Sequence, residues 1–259
     1  MSEKETEEEA VVVQPVDEAE APAPTLPEGL DKWQPKTSIG KKVKEREIVN
    51  VDEILDNGRR IMEFQIVDML LPNIESDLLH IGQSKGKFGG GSRRVFKQTQ
   101  KKTKEGNKPH FATLTVVGNR DGYVGIGYGK AKETVPAREK SLRKAKTNLF
   151  KIARGSGSWE DKTTEPHTIP FKVTGKCGSC KITLLPAPKG KGLCVEKECA
   201  KILALAGIQN VWSKTEGQTK NKINLIYACE RALRKLVTTK VRSVDAQNVS
   251  MMLGKREQA

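Results

Sequence analysis

The chain has 259 residues, with 36% hydrophobic and 30% charged side chains and a formal net charge of +14. This composition suits a globular protein with modest cores and much polar surface, of one or two domains. No apolar run reaches the length of about 18 residues that a membrane-spanning helix needs, and the acidic N-terminus does not have the character of a secretory or mitochondrial leader.

The charge is segregated. Residues 1–31 hold ten Asp and Glu against one Lys, a local net of −9, and the rest of the chain holds 45 Lys and Arg against 22 Asp and Glu, a net of +23. Such a body is poised to neutralise phosphates of nucleic acid or of an anionic surface. Five cysteines, an odd number, without a leader point to a reducing compartment, so a cytoplasmic location is expected.

In chain order, residues 1–31 read as a disordered acidic tail, since 11–13 is their only apolar cluster. Residues 32–50 read as an extended basic arm with Trp33 as an aromatic anchor. Apolar periodicity predicts a helix over 51–71, capped by Asp52 and stopped by Pro72, with Gly58 weakening its interior. A strand over 78–83 resumes at 93–99 after a glycine run. Strands over 110–118 and 122–128 are joined by Asn119-Arg120-Asp121, a hairpin signal.

A helix over 133–152 follows, its apolar positions at Val135, Leu142, Ala145, Leu149 and Ile152, with six Lys and Arg over much of the rest. Together 51–154 read as a compact domain of helix, three antiparallel strands and helix. Residues 155–165 (beginning GSGSWEDK) read as a linker. A second domain over 166–237 is expected to hold strands at 168–174 and 179–185, a Pro/Gly/Lys loop, a helix over 195–206, a short strand at 210–213 and a helix over 220–236. Residues 238–259 read as a polar tail with little core potential.

The candidate chemistry is concentrated in the basic loops. The segment 82–110 carries Lys85, Lys87, Arg93, Arg94, Lys97, Lys101 and Lys102, interleaved with Phe88 and Phe96. Lys and Arg contact phosphate, aromatics stack on exposed bases, and glycines such as Gly89 and Gly90 let backbone N–H groups come close to RNA. The VGIGYGK stretch puts Gly125, Gly127 and Gly129 before Lys130 and Lys132, between a strand and a helix. Its spacing is neither GxGxxG nor GxxxxGK[ST], so a nucleotide-binding enzyme is only a minor alternative to close backbone approach beside an RNA phosphate.

Lys189 and Lys191, in a Lys-Gly-Lys-Gly loop, could offer two ammonium groups at a helix N-terminus. Cys177 and Cys180 form a CxxC, with Cys194 and Cys199 downstream. Four thiolates can bind zinc, but Cys180 lies in an apolar alternating strand, so no metal is assigned and zinc stays an alternative. His80, His110 and His167 stand without an acid–base partner or nucleophile signature. No catalytic constellation and no cofactor is expected.

Three long segments carry a resemblance: FATLTVVGNRDGYVGIGYGKAKETVPA (111–137), PHTIPFKVTGKCGSCKITLLPAPKGKGL (166–193) and AKILALAGIQNVWSKTEGQT (200–219). With them the chain resembles the fifth protein of the small ribosomal subunit, the ribosomal protein S-five family, in its archaeal form, over about 33–236. The resemblance implies an α+β protein with an N-terminal domain like a double-stranded-RNA-binding domain and a C-terminal ribosomal domain with a left-handed crossover. It implies a structural protein that binds small-subunit rRNA near the joint of head and body, beside the channel through which mRNA enters, and that supports decoding accuracy and mRNA unwinding. The implied neighbours are the fourth and eighth small-subunit proteins, with the third nearby. On this chain the glycine-rich hairpin matches the family's rRNA-contacting loop. The acidic tail and the CxxC depart from the family pattern. A freestanding RNA-binding or RNA-chaperone protein is the alternative.

Overall fold

The computed structural model describes residues 33–84, 93–161 and 163–254. Three short helices stand where an extended arm and one long helix were expected: α1 (Ser38–Lys44), α2 (Val51–Asp56) and α3 (Phe64–Leu70). The Thr37 hydroxyl caps α1 by accepting from the Gly40 N–H at 3.1 Å. Gly58, at φ 65°, ends α2 in the left-handed conformation, with the Arg59 N–H turning back to the Ile54 carbonyl at 3.1 Å. The apolar spacing was therefore real, but a glycine stop divides it. Asp52 does not cap; it lies within α2 and accepts from the Tyr123 hydroxyl at 2.6 Å.

The chain at Trp33 is pinned to this unit, its indole N–H donating to Glu63 Oε2 at 2.8 Å. Glu63 Oε1 accepts from the Thr37 and Lys36 N–H groups. Burial pushes the Glu63 carboxyl up, but the bonds from Thr37, Trp33 and Lys36 outweigh it and hold it below the ordinary value.

The first sheet contains β1 (Glu75–Leu78), β2 (Lys97–Thr103), β3 (Gly106–Gly118), β4 (Tyr123–Ala131) and, after α4 (Thr134–Thr147), β5 (Leu149–Lys151). β3 is the long central strand. β4 pairs along one edge of it, while β1 and β2 share the other, β1 against its last residues and β2 against its first half. The helix expected over 133–152 ends at Thr147, where the Asn148 side chain donates to the Ile126 carbonyl. Leu149 and Phe150 then pair with Gly125 and Val124 as strand.

β3 and β4 alternate strictly. Thr113, Thr115, Gly125, Gly127 and Gly129 face α4, and the Ser141 hydroxyl bonds both threonines. Leu114, Val116, Val124 and Ile126 face the other way into the main core.

The second half contributes β6 (Ala153–Arg154), β7 (Val173–Cys177), β8 (Cys180–Pro186), β9 (Leu193–Cys194), α5 (Lys197–Leu205), β10 (Val211–Glu216), α6 (Lys222–Thr238), α7 (Ser243–Asn248) and β11 (Met252–Leu253). Its sheet runs β7-β8-β10-β9, with β9 and β10 parallel across α5, a β-α-β unit. α6 lies close on β7: a methyl at Gly175 would stand 2.0 Å from the Ala228 carbonyl oxygen. The layers are therefore α4, first sheet, α5 with α6, second sheet.

One hydrophobic core crosses both halves, from Leu114, Val116 and Ile126 through Ile202, Leu203 and Leu205 to Ile226, Ala232 and Leu233. The stretch expected as a linker is packed: the Ser156 N–H bonds the Val249 carbonyl at 2.7 Å, and a methyl at Gly157 would strike the Pro170 carbonyl. The segment expected as a polar tail carries α7 and β11, and β11 pairs with β6. Arg154, 5% exposed, ties this junction by donating to Asp121 at 2.6 Å and to the Gly254 carbonyl at 3.0 Å.

Candidate nucleic-acid interface

β2 and the first half of β3 form a two-stranded ribbon standing clear of the packed layers, exposed on both faces from Lys97 to Pro109 apart from Thr103. The register fixes which charges share a face. Lys97, Ala112 and Lys130 occupy one row across β2, β3 and β4, so two strand spacings, about 10 Å, separate the lysine backbones. Further along the same face Lys101 stands directly opposite Lys108. Like charges directly opposed are unfavourable in an isolated sheet, and an anion between them reverses the sign. Lys102 projects from the other face of the ribbon.

Lys97, Lys101, Lys102, Lys130 and Lys132 are exposed, and among the described residues none has an ion-pair partner. Lys108 is held by Glu105 at 3.2 Å. Arg93 and Arg94 form the root of the glycine-rich loop. Ser84 bridges Arg93, and the Gly82 N–H donates to the Arg94 carbonyl at 2.7 Å. Gly82 is required there, since a methyl would stand 2.3 Å from the Phe96 carbonyl oxygen. Arg93 also reaches the Lys220 carbonyl at 3.2 Å, joining this root to the second half. Lys85, Lys87, Gly89 and Gly90, expected as contacts, lie outside the described residues.

The VGIGYGK glycines have another purpose than the one expected. Methyl groups at Gly125, Gly127 and Gly129 would lie 2.2 Å from backbone atoms of Ala145, Ala145 with Ser141, and Ala137. The close approach is of helix to sheet, within the protein, and these positions offer no cradle for a nucleotide. Only Lys130 and Lys132, beyond them, remain at the surface.

Lys189 and Lys191 sit beyond the C-terminal end of β8, whereas Arg93 contacts the segment after Gly217, which packs on Ser179 just before the start of β8. The two basic loops are thus at opposite ends of the second sheet and do not form one patch. Lys189 is already partnered: its ammonium bonds Glu165 at 2.6 Å, and that hydrogen bond and charge raise its affinity for the proton. Its backbone N–H donates to Asp161, which also accepts from the Thr163 N–H and contacts the His167 ring at 2.7 Å. The Thr163 N–H bond leads the causes that hold the Asp161 carboxyl far below the ordinary range, burial opposing them.

Cys177 and Cys180 close the two-residue hairpin between β7 and β8, with Gly178 at φ 59°. The buried Cys180 thiol is 2.8 Å from the Gln218 carbonyl oxygen. Cys194 is exposed on β9, while Cys199 is buried on α5 against Cys229 of α6. Among the described residues no three His, Cys, Asp or Glu side chains are gathered to hold a metal ion. Nor is any helix among them long and apolar enough to cross a membrane.

Sequence reasoning missed a second basic groove, where Arg59 and Arg60 line a hollow with Lys144, Arg234, Tyr128 and Tyr227. The Gly-Arg-Arg run at 58–60 was its signal, concealed by reading those residues as the interior of one helix.

A lysine-studded ribbon on an α+β scaffold has the charge and geometry of a polyanion-binding surface. The model of the family described as "Ribosomal protein S5, N-terminal domain" matches residues 94–153, and that of its C-terminal domain matches 175–247. Curated relatives named "Small ribosomal subunit protein uS5" are similar over most of their length. That of Nanoarchaeum equitans is 46% identical over 212 residues, covering 82% of this chain and 91% of the relative. That of Methanocaldococcus jannaschii is 42% identical, covering 87% and 97%, and that of Pyrobaculum aerophilum 43%, covering 79% and 87%. The chain belongs to the ribosomal protein S5 family, which is structural and not enzymatic.

Proposed function

We propose that the chain is a structural constituent of the small ribosomal subunit that binds its rRNA through the β2–β3 ribbon. The observation that carries this is the row of Lys97 and Lys130 flanking Ala112, continued by Lys101 opposite Lys108, in a chain similar over most of its length to relatives named for that subunit. Cations at the fixed register of a paired ribbon neutralise successive phosphates and select by shape rather than by base sequence. Arg93 and Arg94, at the root of the glycine-rich loop, extend the same surface, and Lys85, Lys87, Gly89 and Gly90 belong to that loop. Lys191 serves as a separate contact, with Lys189 as its neighbour held by Glu165.

A finer placement is part of the same proposal. In this reading the protein lies near the joint of head and body, beside the channel through which mRNA enters. The fourth and eighth small-subunit proteins adjoin it, with the third nearby, in the cytoplasm. Cosedimentation with small subunits in moderate salt tests the core of this reading, and recovery only in the ribosome-free fraction overturns it.

A further inference from the structure

The groove beside Arg59 and Arg60 is not used by the ribbon. It continues along α4 into a second hollow, with Met62, Lys144 and Thr147 common to both and Phe64, Pro136 and Lys140 beyond. Arg59, Arg60, Lys140 and Lys144 are exposed, and none has an ion-pair partner among the described residues. Met62 is 71% exposed between them. The surface therefore reads cation, apolar, cation along its length.

The chain enters the described structure at Trp33, which packs with Ile61 in one cluster and donates to Glu63. The segment before it therefore starts beside Glu63, the residue between the groove-lining Met62 and Phe64. Asp31 lies within about 7 Å of chain from Trp33, and the whole stretch to residue 31 carries net −9. Its sequence reads Glu7-Glu8-Glu9, then Val11-Val12-Val13, then Asp17-Glu18 and Glu20: acid, apolar, acid. That is the complement of the groove in charge and in order. Tethering makes the contact intramolecular, at an effective concentration on the order of millimolar.

We propose that residues 1–31 dock into the groove between 59–64 and α4 in the free protein, and that RNA phosphate competing for Arg59, Arg60, Lys140 and Lys144 displaces them. The docking stands on the groove alone; the displacement rests on the RNA-binding reading above. The segment then acts as an internal polyanion that weakens binding to unrelated RNA and gives way to a larger array of phosphates.

Zero-length carbodiimide crosslinking of the free full chain at low salt tests the docking. Crosslinks from the carboxylates of residues 3–20 should fall on Lys140 and Lys144, and Arg59→Glu with Arg60→Glu should reduce them at least about fivefold. The milder Arg59→Ala with Arg60→Ala should act in the same direction. Crosslinks spread evenly over Lys97, Lys101, Lys102 and Lys108, or none from the segment, overturn the proposal. Deleting residues 1–31 should tighten binding to a generic RNA duplex about tenfold, and a saturating duplex should abolish the crosslinks in the full chain. Unchanged affinity on deletion, or crosslinks that survive the RNA, overturn the displacement. If neither form binds RNA while the Lys144 crosslink persists, the RNA-binding reading fails and the docking stands.

Discussion

Gly127 lies backbone to backbone against Ala145: a methyl on the glycine would stand 2.2 Å from the Ala145 amide nitrogen and equally near the Ser141 carbonyl oxygen. The sheet and α4 approach this closely because Gly125, Gly127 and Gly129 meet Ala137, Ser141 and Ala145, small residues on both sides. Gly127→Ala is therefore expected to destabilise the fold by at least about 3 kcal/mol, the upper part of the overpacking range, since rigid backbone receives the methyl. Urea denaturation measures it; a loss below about 1 kcal/mol contradicts the packing described.

The ribbon lysines predict a salt signature. Lys97→Ala and Lys130→Ala should each weaken binding to a small-subunit rRNA fragment and to unrelated duplexes alike, and each should lower the slope of log affinity against log salt by about 1. Titrations at several salt concentrations read this directly, and an unchanged slope removes the residue from the interface.

The cysteines should differ in reactivity. Cys194 is exposed and Cys177 half-buried, whereas Cys180, Cys199 and Cys229 are buried. The hydrogen bond with Cys229, then burial, pushes the Cys199 thiol well above its ordinary value. Alkylation of the native protein should modify Cys194 first and leave Cys199 and Cys229 intact until unfolding. Because the folded value lies above the unfolded one, Cys199 stabilises the fold below the ordinary thiol value. That contribution fades as pH rises through the raised one. Mass spectrometry of partly labelled protein resolves the order.

Asp161 predicts acid sensitivity. Its carboxyl is held below the ordinary 3.8 by the bond from the Thr163 N–H and by those involving Lys189 and His167. A depressed carboxylate adds stability that is present above the unfolded value and is lost as pH falls through the folded one. Asp161→Asn should flatten the decline in stability below about pH 4 and speed amide exchange at Lys189. Equal acid profiles for variant and parent would refute the assignment.

Much of this architecture was legible in the residues, because strict alternation in 110–118 and 122–128 and the helical pattern of 220–236 each leave few options. Four things were not. Gly58 looked like a tolerated interruption and is a helix stop, which also hid Arg59 and Arg60. Leu149, Phe150 and Ile152 fit a continued helix, and only pairing with β4 makes Leu149 and Phe150 strand. The glycines of VGIGYGK were assigned to RNA because a sequence does not show which surface a bare backbone meets. Lys189 carried the charge expected of it, yet the neutralising Glu165 is 24 residues away.

The continuous core has a mechanical consequence. Gly118 is pressed on the backbone of Leu205 within one core, with Arg93 toward one end of the second sheet and Lys191 at the other. Between them lies at least the length of β8, roughly 23 Å at the usual rise per strand residue. In the reading proposed above the molecule is a caliper: RNA held at both ends is kept at a gap set by the core between them.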